Sequence, residues 1–135
     1  MNLDNKKRIA VLRVLYLCTA IYVMMIAAVS HIPSALLGHI DLWDKIAHLL
    51  EYIPLGILVT GSLTCRTNSP HYKSIFVSSL CILAIFGMAD EAHQFFVPGR
   101  NVSLGDVTAD ILGGSIGALL VGCYCGFAFR NKSTR

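Results

Sequence analysis

DEAHQFFVPGRNVSLGDVTAD, residues 90–110, places four carboxylates, a guanidinium and an imidazole between two runs without charge, Ser74 to Ala89 and Ile111 to Phe129. An Asp, Lys or Arg at the centre of a membrane helix costs about 2.5–3.5 kcal/mol on translocon scales. Charged groups that interrupt membrane-length apolar sequence must therefore turn toward other protein, and the remainder of the chain has to supply the surfaces they turn toward.

The composition agrees with a membrane protein. The 135 residues have a mean hydropathy of +0.63, with 55% hydrophobic and 14% charged residues, against roughly 25% charged in an ordinary soluble domain. A spanning helix needs about 20 residues, so four with short loops use most of the length and leave one domain. The net charge of +3 does not mark a nucleic-acid surface, because the basic residues cluster at the ends of apolar runs. Cys18, Cys65, Cys81, Cys123 and Cys125 lie mostly within apolar runs, form no Cys-x-x-Cys pair, and read as small apolar fillers.

The expected fold is an all-α, four-helix transmembrane bundle, residues 1–135 forming a single domain with spans at about 14–32, 44–64, 71–97 and 104–129. Residues 1–13 read as a basic tail. The apolar run after them exceeds the roughly 7–15 residues of a signal peptide, so it reads as a span. Pro33 to Leu42 reads as a loop in which Asp41 can cap the next helix, and Trp43 suits a membrane interface. Pro54 falls inside the second span, and Ser69-Pro70 offers a cap and first residue for the third. Pro98-Gly99 breaks the third helix. Lys6, Lys7, Arg8, Arg13, Arg66, Lys73, Arg130, Lys132 and Arg135 fall on one side of this topology, and Lys45 and Arg100 on the other. The positive-inside rule then places both termini in the cytoplasm.

At about 100° per residue, Asp44, His48, Glu51 and Tyr52 share one arc of the second span. Asp90, Glu91, Gln94 and Pro98 share one arc of the third, and Asp106, Asp110, Gly113 and Gly117 a stripe of the fourth. The three polar faces lie at one end of the bundle and can meet in a pocket open to the outer side. Ser103 followed by Asp106 also matches a capping box, a structural role for Asp106, and Lys45 reads as a snorkelling side chain. His31, His39 and His71 fall near loops and read as solvated, with His93 at the rim. Gly113-x-x-x-Gly117 and Gly122-x-x-x-Gly126 allow close helix approach, and the same four glycines offer a surface for a homo-oligomer.

Asp44-Lys45-x-x-His48-x-x-x-Tyr52, Asp90-Glu91-x-x-Gln94-x-Phe96-x-Pro98-Gly99-Arg100 and Ser103-x-x-Asp106-x-x-x-Asp110-x-x-Gly113 keep the order and spacing of a known pattern. The chain resembles the VanZ-like family of small bacterial membrane proteins, whose named member is associated with reduced susceptibility to teicoplanin. The resemblance implies a multi-pass protein of the bacterial cytoplasmic membrane with a role in the cell envelope. Asp110 stands where that family often has Asn, which adds one more acid here.

The expected binding set is Asp44, His48, Tyr52, Asp90, Glu91, Gln94, Arg100, Asp106 and Asp110. So many carboxylates at modest depth call for protonated acids or for a divalent cation with oxygen ligands, with Asp90, Glu91, Asp106 and Asp110 as candidate ligands. A first function is binding or modulation of a membrane lipid or a lipid-linked envelope precursor, with Arg100 gripping a phosphate or carboxylate. A second is an enzyme on lipid-linked phosphate; no nucleophile is identifiable, and His48, Asp90 and Glu91 are the candidate reactive groups. A proton-linked carrier ranks third, and nucleic acid is not an expected partner.

Overall fold

A computed structural model of the chain describes residues 3–32, 41–67 and 71–133, and the side chains of 4–32, 43–67 and 71–127. It contains four helices, α1 (Leu3–Ser30), α2 (Asp41–Arg66), α3 (Tyr72–Gln94) and α4 (Leu104–Ser133). All four are long and apolar enough to cross a membrane. Regular structure among the described residues is entirely helical.

Two boundaries differ from expectation. The basic tail expected over residues 1–13 is helical from Leu3, because no Gly or Pro interrupts 3–30 and Leu, Lys, Arg and Ala favour helix. Asp4 in the first turn adds a charge that suits the helix N-terminus. At the other misjudged boundary, α3 ends at Gln94, a turn before Pro98. The amides of Phe96, Val97 and Arg100 bond to the carbonyls of His93, Gln94 and Val97, winding the chain tightly until Gly99 at φ 77° reverses it toward α4. That left-handed conformation favours glycine. The loop expected from Pro33, with His39, lies outside the described residues, whereas Asp41 and Leu42 belong to α2. The Ser69-Pro70 cap expected for the third span is not the one used, since α3 starts at Tyr72 with His71 as its N-cap.

α2 is the central helix and touches the other three, while α1 touches only α2 and α3 among the described residues. Of the most apolar window of α1, 6% is buried, against 39% for α2. A helix facing lipid on nearly all sides must be apolar on nearly all sides, and from Val14 to Val29 α1 carries no charged residue. The core is built by Ile26 from α1, Tyr52, Leu55 and Val59 from α2, and Leu83 from α3.

Small residues set the α2–α4 distance. A Cβ added at Gly113 would overlap the backbone of Leu49, and one at Gly117 the backbone of Ile53. One at Gly56 would overlap Gly114. Gly122 lies under the Tyr72 ring, whose hydroxyl donates to the Ala118 carbonyl at 2.5 Å, and Gly126 has open space beside it. Three of the four glycines expected to serve association between chains are therefore occupied within this one. Thr60 adds a buried hydroxyl bond to Ser79 at 2.9 Å between α2 and α3.

Gly117→Leu forces backbone apart where side chains cannot give way, and overpacking typically costs about 1–3 kcal/mol. The variant is expected to lower the unfolding temperature of the detergent-solubilised protein clearly, with Gly126→Leu close to wild type, as read by thermal unfolding on intrinsic fluorescence.

Candidate functional site

The polar faces of α2, α3 and α4 meet at one end of the bundle, and α1 joins them. On α3, Asp90 Oδ2 accepts from the Ser30 hydroxyl of α1 at 2.9 Å and from the Gln94 amide at 2.9 Å. The Gln94 nitrogen lies 3.5 Å from His48 Nε2 on α2, and His48 Nδ1 donates to Asp110 Oδ1 of α4 at 3.0 Å. One chain of polar contacts thus crosses all four helices. A neutral imidazole with its proton on Nδ1 suits both contacts of His48. His48, Asp90, Gln94 and Asp110 are all buried, the last at 0% exposure.

A second layer lies nearer the end of the bundle. Arg100 donates from Nη1 to Asp44 Oδ1 at 2.9 Å and from Nε to the Ile32 carbonyl at 3.3 Å, fastening the end of α1 to the start of α2. Its side chain is 7% exposed, so the guanidinium is engaged inward. Lys45 stands 3.8 Å from Asp106 Oδ1. Glu91 Oε2 accepts the Ser103 backbone N–H at 2.7 Å, and the Ser103 hydroxyl accepts the Gly105 N–H at 3.1 Å. The backbone N–H that a capping box would give to Asp106 is therefore taken by Glu91 from the neighbouring helix, and the Asp106 carboxylate faces the pocket.

The expected site residues separate into groups. Asp44, His48, Asp90, Glu91, Gln94, Arg100, Asp106 and Asp110 converge. Tyr52 is buried in the core and lines a crevice of about 170 Å³ with Val23, Ile26, Phe86, Asp90 and His93. Glu51 is half-buried, and its backbone carbonyl accepts from Tyr22 of α1 at 3.0 Å. His31 and His93 are exposed and pair with each other, Nδ1 to Nε2, at 3.3 Å. Sequence reasoning missed Ser30, a single hydroxyl ending an apolar helix. Its position at the same end as the other polar faces was the available signal.

Two features bear on ligands. Glu91 Oε1, Gln94 Oε1, Asp106 Oδ1 and Asp110 Oδ2 are buried acceptors without a hydrogen-bond partner. Among the described residues, Asp44, His48 and Asp106 each bring one potential ligand atom within 4.8 Å of the other two. Of the four cation ligands expected from sequence only Asp106 belongs to that group; Asp90 instead bonds to Ser30 and Gln94, Glu91 to Ser103, and Asp110 to His48.

The model of the VanZ/LLP1 family matches residues 9–125, which reaches into all four helices and takes in every residue of the site. The chain belongs to the VanZ/LLP1 family. No curated protein and no solved structure matches it. Family membership and four spanning helices together make it a VanZ-like multi-pass membrane protein.

The His48–Asp110 contact is the most buried charge-bearing pair of the site, with side-chain exposures of 6% and 0%. Removing the carboxylate leaves the buried Nδ1–H of His48 without a partner, which typically costs about 1–3 kcal/mol. Asp110→Ala is expected to destabilise by that order in detergent. Asp110→Asn retains an acceptor oxygen toward His48 Nδ1 and is expected to stay within about 1 kcal/mol of wild type, the net size of one ordinary hydrogen bond. Chemical denaturation of the two variants side by side checks the difference.

Proposed function

We propose that the polar end of this VanZ-like bundle receives the head group of a membrane lipid or lipid-linked envelope precursor at the outer leaflet of the bacterial cytoplasmic membrane. The observation that carries the reading is the set of four buried acceptors without partners, on Glu91, Gln94, Asp106 and Asp110. Leaving a buried acceptor unpaired costs about 1–3 kcal/mol, and the hydroxyl, amide or ammonium donors of a head group would satisfy several at once.

Access from the lipid supports the same reading. Trp43, Phe95, Phe96, Val102 and Leu104 are exposed around this end, each at 51% or more, and suit the interfacial zone beside head groups. The crevice between α1, α2 and α3, with Asp90 on its wall, has room for the first carbons of an acyl or isoprenoid chain. The outer placement, with both termini in the cytoplasm, rests on charge. Lys45 and Arg100, the basic residues at this end, are paired with Asp106 and Asp44, while Lys6, Lys7, Arg8, Arg13, Arg66, Lys73, Arg130 and Lys132 lie toward the opposite end. In the envelope such a module would shield or alter a precursor, and changed teicoplanin susceptibility is the phenotype it would produce.

A second reading, an enzyme on lipid-linked phosphate, is favoured by the His48–Asp110 pair. A carboxylate that fixes the imidazole through Nδ1 leaves Nε2 as an acid–base group.

Protein purified in mild detergent is expected to carry a discrete envelope lipid enriched over the bulk membrane lipids, read by mass spectrometry. Gln94→Leu and His48→Ala, at equal abundance in membranes, are expected to lose it. A wild-type profile identical to bulk lipid would remove the binding reading. Turnover of a lipid-linked phosphate that disappears in His48→Ala would establish the enzyme.

A further inference from the structure

We propose that Asp44, His48 and Asp106 form a divalent-cation site at the mouth of the pocket, suited to a first-row dication such as zinc or manganese. The inference goes beyond head-group binding and does not depend on it. Its first ground is geometric, one donor atom from each residue within 4.8 Å of the other two. The donors come from α2 and α4, the two helices brought into backbone contact at Gly113 and Gly117, so their spacing is set by an interface in which main chain meets main chain.

The second ground is the state of those donors. Asp106 is 2% exposed, and its Oδ1 has no hydrogen-bond partner. Lys45 at 3.8 Å lies beyond hydrogen-bond distance, on a side chain that is 43% exposed and can swing away. Asp44 bonds to Arg100 through Oδ1, and a carboxylate has the acceptor capacity to hold a guanidinium and a cation together. At 33% exposure this side chain also marks the way in.

The third ground is the orientation of the imidazole. His48 gives its Nδ1–H to Asp110 Oδ1 at 3.0 Å, which leaves the lone pair on Nε2. A carboxylate holding the far nitrogen of a histidine is the usual outer shell of a metal-binding imidazole, and it raises the basicity of the ligand. Gln94, whose nitrogen lies 3.5 Å from Nε2, is near enough to guard that lone pair and too distant to bind it firmly.

The donor set selects the ion. Two carboxylate oxygens and one nitrogen neutralise a dication and leave coordination positions for water or an oxygen of a bound ligand. The imidazole favours zinc and its neighbours over calcium and magnesium, which prefer oxygen alone, while the two carboxylates also suit manganese. With no dication bound, Lys45 and Arg100 balance the two carboxylates, so binding the metal means displacing the Lys45 ammonium.

The competition supplies a test that misfolding cannot imitate. Full-length protein in detergent, stripped with chelator, is titrated with zinc alone and then with manganese alone by calorimetry, and bound metal is counted by elemental mass spectrometry. One equivalent per chain is expected, retained in His93→Ala, which excludes the exposed His31–His93 pair as its site. His48→Ala and Asp106→Asn are expected to weaken binding at least ten-fold. Lys45→Ala is expected to tighten it by about two- to five-fold, the weight of an exposed ion pair. Absence of binding at millimolar metal, or affinity unchanged across His48→Ala, Asp106→Asn and Lys45→Ala, would overturn the proposal, as would loss of the equivalent in His93→Ala.

Discussion

The bond between His48 and Asp110 is the constraint on which the rest of the structure depends. Both groups sit in helices that span a membrane, where an ionisable side chain without a partner carries a large desolvation cost. Asp110 can be buried completely only because His48 on α2 offers it Nδ1 at 3.0 Å. That contact fixes the rotation of both helices about their axes. Once α2 and α4 are so oriented, Asp44 and Asp106 must lie together one turn away, and Gly113 and Gly117 must face the α2 backbone. The polar and the glycine-rich stretches of α4 are parts of one stripe, the first matching the side chains of α2 and the second its main chain.

The glycines make the polar contacts reachable. Lipid tails are as apolar as leucine, so the hydrophobic effect does little to draw membrane helices together, and close packing with interhelical hydrogen bonds takes over. Gly87 serves the site itself, since a Cβ there would meet Asp110 Oδ2 at 2.9 Å. α1 follows a different rule. It buries little area and is held by directed bonds, Tyr22 to the Glu51 carbonyl, Ser30 to Asp90 and the Ile32 carbonyl to Arg100. Two of these three bonds end on members of the polar site, so the attachment of α1 and the arrangement of the pocket share the same atoms.

The helices and the converging faces were legible in the sequence because membrane physics leaves few alternatives. Charged residues at Asp44, Asp90, Asp106 and Asp110 inside apolar runs can only face one another, and helical periodicity identifies the arcs. What periodicity does not contain is pairing. Glu91 and Asp106 both carry carboxylates suited to capping α4, and only the packing of α3 beside Ser103 gives the role to Glu91. Arg100 read as a free cation for a ligand, but its loop returns it to Asp44 and the end of α1. Ser30 escaped notice because one hydroxyl in a long apolar helix leaves no periodic trace. The helical start of α1 was hidden for the opposite reason, since charge in Lys6, Lys7 and Arg8 says where the membrane ends and nothing about where the helix does.

The character of position 110 separates two demands that the site makes of it. Toward α2, the requirement is one acceptor for His48 Nδ1, and an amide oxygen meets it as well as a carboxylate oxygen does. The Asn common in the VanZ-like pattern is therefore compatible with the same helix rotation. Toward α3, the two differ. An Asn would present an NH2 donor beside Gly87, whereas Asp110 presents Oδ2, an acceptor left without a partner. Charge at 110 is thus the part of the residue that the fold does not require. Its effect is on the imidazole, since a carboxylate behind Nδ1 makes Nε2 more basic than an amide would. A cation that meets His48 from the pocket is held more tightly for it.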